Sequence, residues 1–157
     1  MLSNPQLAIL KTDINSKLNT VITGGTIAIN LGNSNFQNIA DYYNSNSANT
    51  VWRPDVKASE VTAQVVGSVY VLLTAVKQNG FQMYLLGGTI DATAQTVRDG
   101  FSAIFGNGAT LTNLTNVSKR TATIFEMLFV GAAQSGSYVS SLYGYQVTAN
   151  DIQEAIR

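Results

Sequence analysis

The chain has 157 residues, 45% of them apolar and only 11% charged, with nine basic residues balancing nine acidic ones. That length suits a single domain spanning 1–157, and the charged fraction is under half of the ~25% usual in globular proteins. Neutrality excludes the basic face of a duplex-nucleic-acid binder and the behaviour of a polybasic or acidic tail, while the absence of His and Cys excludes triad catalysis, thiol nucleophiles and a disulfide framework.

The chain opens with Met1-Leu2-Ser3-Asn4-Pro5, which has neither the basic nor the apolar region of a signal peptide. Pro5 after Ser3 or Asn4 is a helix-start signal, and Leu7, Leu10, Ile14 and Leu18 draw one apolar stripe, so a helix is predicted from about Pro5 to Leu18. Thr23-Gly24-Gly25 breaks it. A short β-branched stretch, Thr26 to Leu31, precedes a turn and cap at Gly32 to Asn35. A short helix then carries Phe36, Ile39, Ala40 and Tyr43 inward. Asn44 to Thr50 reads as an exposed Ser/Asn loop.

Val51-Trp52-Arg53-Pro54 is extended, because the residue before proline is pushed out of the α region. Ser59 is predicted to cap a helix opening with Glu60. The stretch Val61 to Leu86 has two readings. In one, Val65, Val69, Leu72 and Val76 share a continuous helical face that stops at Asn79-Gly80. In the other, the chain breaks around Gly67 to Thr74 and a new helix runs from Thr74 to Leu86, ended by Gly87-Gly88. The longest uncharged run, Val61 to Val76, falls short of the ~20 apolar residues of a spanning helix.

Asp91 is predicted to cap a helix through Ala94, Val97, Phe101, Ile104 and Phe105, with Gly106-Asn107-Gly108 as its stop. Thr110 is read as the cap of a helix carrying Leu111, Leu114 and Val117. Thr121 to Val130 places Ile124, Phe125, Leu128 and Phe129 on one face. Gly131 to Gly144 reads as loop. Thr148 with Asp151 makes a capping-box start for a terminal helix bearing Ile152, Ala155 and Ile156. Gly-Gly-Thr-Ile at Gly24 and again at Gly87 reads as two similar helix endings rather than a repeat. The expected fold class is all-α: a compact bundle of several short helices with loop-rich connections.

The residues that carry chemistry are few. The carboxylates form no metal-loop pattern, and several sit where helix caps are expected. A glycosidase pair would have to meet in space. Gly106-Asn107-Gly108 lacks the Lys of a phosphate-binding loop. No cofactor or metal is called for. The single Trp52, beside Arg53, reads as a core aromatic or as a stacking platform for a sugar or base. Arg120, in Lys119-Arg120-Thr121-Ala122-Thr123 followed by Glu126, reads as a tie for a loop or helix end, or as an intersubunit or ligand contact. A surface of amides and hydroxyls with thinly spread charge favours burial against neighbours, since a buried charge is costly unless paired. The chain is therefore expected to form a homo-oligomer.

The run Lys119-Arg120, Ala122-Thr123, Glu126, Leu128-Phe129 resembles the KRxATxxExLF signature of a family of small virion-associated proteins of tailed bacteriophages and prophages. Val51-Trp52-Arg53 resembles that family's VWR segment. Arg98 and Phe101 resemble its R-x-x-F/I helix, and Gly144, Thr148, Asp151-Ile152-Gln153, Ala155 and Arg157 its C-terminal ending. The resemblance favours the broken layout of 61–86 and departs in the loop after Phe129. It implies a non-enzymatic structural protein, best placed as a head–tail connector (adaptor or neck), with a baseplate or tail-fibre position as the alternative. Its partners would be portal or tail components, and its location the virion assembled in the host cytoplasm, with neither membrane nor sequence-specific nucleic acid as partner. A ligand- or carbohydrate-binding module using Trp52 and the tyrosines, and a carboxylate hydrolase, are the readings from other classes. Trp52, Arg120, Tyr138, Tyr143 and Tyr145 are the candidate interface residues, as aromatics and Arg are enriched at interfaces.

Overall fold

In the computed structural model the described residues are 1–130 and 142–157. They are mostly helical, as expected, with three two-stranded sheets besides. The chain groups into two compact units. One takes in residues 1–49, 122–130 and 144–157, the other residues 50–121 and 142–143. The chain passes from the first unit to the second within β3 (Asn46–Trp52) and returns within β6 (Lys119–Thr123), the two strands of one sheet.

The first unit begins with α1 (Asn4–Ser16), whose cap is Ser3; the Ser3 N–H and hydroxyl both donate to Gln6 Oε1. Leu10 and Ile14 of the foreseen stripe are fully buried. The break at Thr23-Gly24-Gly25 is the turn of a hairpin between β1 (Val21–Ile22) and β2 (Gly25–Thr26), not a helix ending. Gly24 has φ +83°, and a Cβ there would meet the Asn38 amide at 2.7 Å, so glycine is required twice over. The β-branched run that follows is helix α2 (Ile27–Gly32), capped by Thr26 Oγ1, which accepts from the Ile29 N–H. Helix α3 (Phe36–Asn44) buries Ile39, Ala40 and Tyr43. It packs on α9 (Ile124–Val130) and on α10 (Ala149–Ile156), which also meet α1.

The expected loop Asn44 to Thr50 is instead most of β3. Pairing with β6 and a regular alternation of covered and exposed side chains override its low strand propensity. The same pairing shortens the expected helix Thr121 to Val130: Lys119–Thr123 are strand, and α9 starts only at Ile124.

In the second unit β4 (Val56–Lys57) pairs antiparallel with β5 (Thr89–Ile90), Val56 opposite Ile90. Helix α4 (Ala58–Ala63) is capped at Lys57, two residues before the expected Ser59. Of the two layouts for 61–86 the broken one is adopted, with α5 (Gly67–Tyr70) inside the break and α6 (Ala75–Leu85) capped by Thr74 Oγ1. Val65 and Val69 pack on the core, while Leu72 and Val76 face solvent, so the single face drawn by periodicity is split. Helix α7 (Gln95–Phe105) has Ala94 at its N-cap; Asp91 instead holds the preceding turn, accepting from the Thr93 N–H and hydroxyl. Helix α8 (Ala109–Val117) is capped at Gly108, and the buried Thr110 hydroxyl turns to accept from the Val66 N–H. The core is aromatic: Phe81 lies edge-on to Phe105, ring centres 5.1 Å apart, and near Phe101, which Tyr84 meets at 5.3 Å. Among the described residues no helix is long and apolar enough to cross a membrane.

Candidate interaction site

The end of β3 organises a cluster of cations, aromatics and carboxylates in the second unit. Pro54 keeps Arg53 extended, which lets the Arg53 N–H donate to Ser118 O at 2.9 Å while its carbonyl accepts from the Ala92 N–H at 2.9 Å. The side chain is thereby aimed at α4. Arg53 Nη1 and Nη2 donate to Glu60 Oε1 and Oε2 at 3.0 Å each, Nη1 also reaches Val117 O, and Nε lies 3.4 Å from Asp55 Oδ1. A bidentate fork of this kind is the strongest geometry open to an ion pair. Glu60 is also the third residue of α4 and accepts from the Lys57 N–H. The guanidinium first, then that N–H, hold its carboxyl below the usual range, and Glu60 in return keeps Arg53 charged.

Trp52, one residue earlier, packs against the core cluster with part of its surface open. Two cations lie over its ring: the Arg98 guanidinium carbon at 4.8 Å and Lys119 Nζ at 4.4 Å. Each such contact is worth roughly 0.5–2 kcal/mol. Arg98 is fixed by donating to Ala92 O, Thr93 O and Gln95 Oε1. Arg120 lies 4.3 Å from the centre of the Tyr143 ring and donates to Thr121 O, and the Tyr143 hydroxyl donates to Asp55 Oδ1 at 2.7 Å.

Trp52, Arg120 and Tyr143 thus belong to one cluster. Tyr145 lies elsewhere, in the first unit. Its hydroxyl sits 3.1 and 3.0 Å from the two Asp151 oxygens and its ring 5.7 Å from Phe125. Burial, then the Asp151 contact, pushes Tyr145 up to about 12. Tyr138 lies outside the described residues. Glu126, in the resembling motif, is fully buried; it accepts from the Thr123 and Gly144 N–H groups, closing a capping box at the head of α9.

Sequence reasoning missed the Arg53–Glu60 fork and the two cations on Trp52. The first was signalled only by Glu60 falling where a helix N-terminus favours an acid. The second joins residues 46 and 67 positions from Trp52, beyond any local pattern. Chemically the cluster favours binding over proton transfer. Its two carboxylates are committed to Arg53 or Tyr143, and Glu60 is held ionised. Among the described residues no three carboxylates gather as a metal site requires.

Two surface depressions are open to solvent rather than enclosed. One of about 430 Å³ in the first unit is lined by Ile9, Thr12, Asp13 and Leu128, and one of about 280 Å³ in the second by Leu111, Thr112 and Asn116. No family model matches the chain, and no curated protein or solved structure matches it either.

Proposed function

We propose that the chain is a non-catalytic structural protein of a tailed-phage particle, a component of the head–tail connection such as an adaptor or neck protein. In that role its short helices meet portal or tail components and further copies of the chain. The observation that carries the reading is an uncovered apolar surface in the second unit. Val71, Leu72, Val76, Met83 and Leu86 are each more than 70% exposed, in a chain with few charges to keep a free monomer soluble. Large exposed apolar surfaces mark sites covered by other molecules. The resemblance carried by Lys119-Arg120, Ala122-Thr123, Glu126 and Trp52-Arg53 supports virion components as those neighbours. Arg98 and Lys119 already occupy the indole of Trp52, which weighs against a sugar-stacking platform there.

Mass spectrometry of purified particles from the phage or prophage encoding the chain tests this. The chain is expected among the virion proteins in a fixed ratio to the portal, and its absence overturns the proposal. A reconstruction of the particle that places it at the baseplate or fibres moves it to the alternative position.

A further inference from the structure

We infer that the outer face of α6 is a seam on which a second copy of this chain docks its own α6; this rests on the assembly reading above and names the partner. Helix α6 is apolar on two faces. Phe81 is buried and Tyr84 and Leu85 are partly buried in the core of the second unit. On the opposite side Val76, Asn79, Met83 and the C-capping Leu86 recur at i, i+3, i+7 and i+10, the spacing of a coiled-coil seam. All four are exposed: Val76 by 81%, Met83 by 72% and Leu86 by 83%. Leu72 (85%) and Val71 (71%), in the turn leading into α6, lengthen the apolar surface. An apolar stripe on a helix ordinarily faces a surface that covers it. The core of the second unit covers the stripe of Phe81, Tyr84 and Leu85, while Val76, Met83 and Leu86 stay exposed.

Area, charge and the position of Asn79 select a second copy as the occupant. The five apolar residues expose on the order of 600 Å², most of the ~800 Å² that each partner contributes to a standard interface. Lys77 is the one ionised residue of α6, and its Nζ is turned to donate to Ile104 O at 3.1 Å. The chain as a whole is neutral, so two copies meet without burying a charge and without net repulsion. Asn79 sits in the middle of the seam. Against an apolar helix its amide would lose water and gain nothing. A second copy brings an amide that both donates and accepts, and a single polar seam residue of this kind fixes register. The same patch on both copies makes a closed, isologous contact.

Sedimentation equilibrium of the full chain from roughly 1 to 500 μM reads the association directly. The wild type is expected to move from monomer to dimer or higher across that range. Met83→Glu and, independently, Val76→Glu should raise the dissociation midpoint by at least ~100-fold, because each buries a charge without a partner. Both positions are exposed, so circular dichroism and melting temperature should match the wild type. Ile29→Glu, at an exposed apolar position of the first unit, should leave association unchanged. A wild type that stays monomeric, or an oligomer that survives both seam variants, overturns the inference. A monomer that is nonetheless abundant in particles removes the seam and leaves the proposed function standing. A seam-dependent dimer absent from particles does the reverse.

Discussion

The two units are held by different chemistry. The first is pinned by polar groups in its interior. Asn30 is fully buried, and its amide donates to Thr23 O and Thr26 O while its oxygen accepts from Asn38. Asn44 and Val147 exchange a reciprocal pair of hydrogen bonds at 2.8 Å. The Tyr43 hydroxyl donates to Asp13, which also receives Lys17; burial first, then Asp13, raises Tyr43 well above its ordinary range. The second unit is held by edge-on and tilted aromatic rings around Phe81 and by cations on Trp52, with Val76, Met83 and Leu86 of α6 exposed. Directional bonds lock one register and tolerate little loss. Apolar packing is adaptable and extends readily to a neighbour's surface. The difference sets a unit whose interior is pinned by directional bonds beside one whose α6 carries exposed Val76, Met83 and Leu86.

The largest expected effect breaks the second unit alone. Phe81→Ala removes the ring that meets Tyr70, Phe101 and Phe105, at a cost of about 3–5 kcal/mol for a buried phenylalanine. Denaturant unfolding followed by Trp52 fluorescence should show that loss. Protection of amides in α1, α3 and α10 from hydrogen exchange shows whether the first unit keeps its structure without the second. Equal loss in both units would show that the polar pins do not suffice on their own.

A smaller effect is expected at Asp151, which gathers the two chain ends. It accepts from the Thr148 N–H and hydroxyl, from Tyr145 and, at 3.5 Å, from the Leu2 N–H. Burial raises its pKa, but these donors outweigh burial and hold it below the ordinary value. Asp151→Ala should cost roughly 2–3 kcal/mol. The sign of its pH dependence follows from linkage. A depressed carboxyl stabilises fully above its unfolded pKa of about 3.9, and that contribution is lost as pH falls through the lower folded value. The gap between wild type and variant should therefore close below about pH 4. Tyr145, raised to about 12, gives the opposite limb: its contribution is full below about pH 10 and is lost on the way up to its folded value. Tyr145→Phe should flatten the alkaline limb of the pH–stability curve and, by removing one of the donors to Asp151, shrink the acid limb without abolishing it.

Much of the helical content was legible because its signals are local. Pro5 after Ser3, the Thr148–Asp151 box and the Gly106 stop act within one turn of chain, and each falls where the structure has it. Of the strands, the extended Val51-Trp52 at the end of β3 was legible, while the rest of β3 and β6 was not, because each is made by a partner about 70 residues away. Two of the misplaced caps share a cause: Thr110 and Asp91 look like N-caps by residue type, yet their oxygens serve another segment and a preceding turn. Of the site, Trp52, Arg120 and Tyr143 were read as contact candidates by residue type alone. What surrounds them, the Arg53–Glu60 fork and the cations of Arg98 and Lys119, comes from three separate elements, α4, α7 and β6, and has no signature along the chain.

The smallest expected effect sharpens the contrast at a single atom. Ser118 is buried at the C-cap of α8, just before β6, and its backbone is fully used: its N–H donates to Leu114 O at 3.0 Å and its carbonyl accepts from the Arg53 N–H. Among the described residues its hydroxyl has no hydrogen-bond partner. Asn30, equally buried in the first unit, satisfies both ends of its amide. A desolvated, unpaired hydroxyl lowers stability, so Ser118→Ala should raise it by up to ~1 kcal/mol, read as a shift in denaturant midpoint with unchanged slope. Asn30→Ala, removing three bonds, should lower it by about 1–3 kcal/mol. If both substitutions destabilise alike, the Ser118 hydroxyl is bonded in solution and the polar economy of the two units is the same. If the signs differ, a polar side chain in the second unit is dispensable for folding, as expected of a unit that relies on rings and on an apolar face.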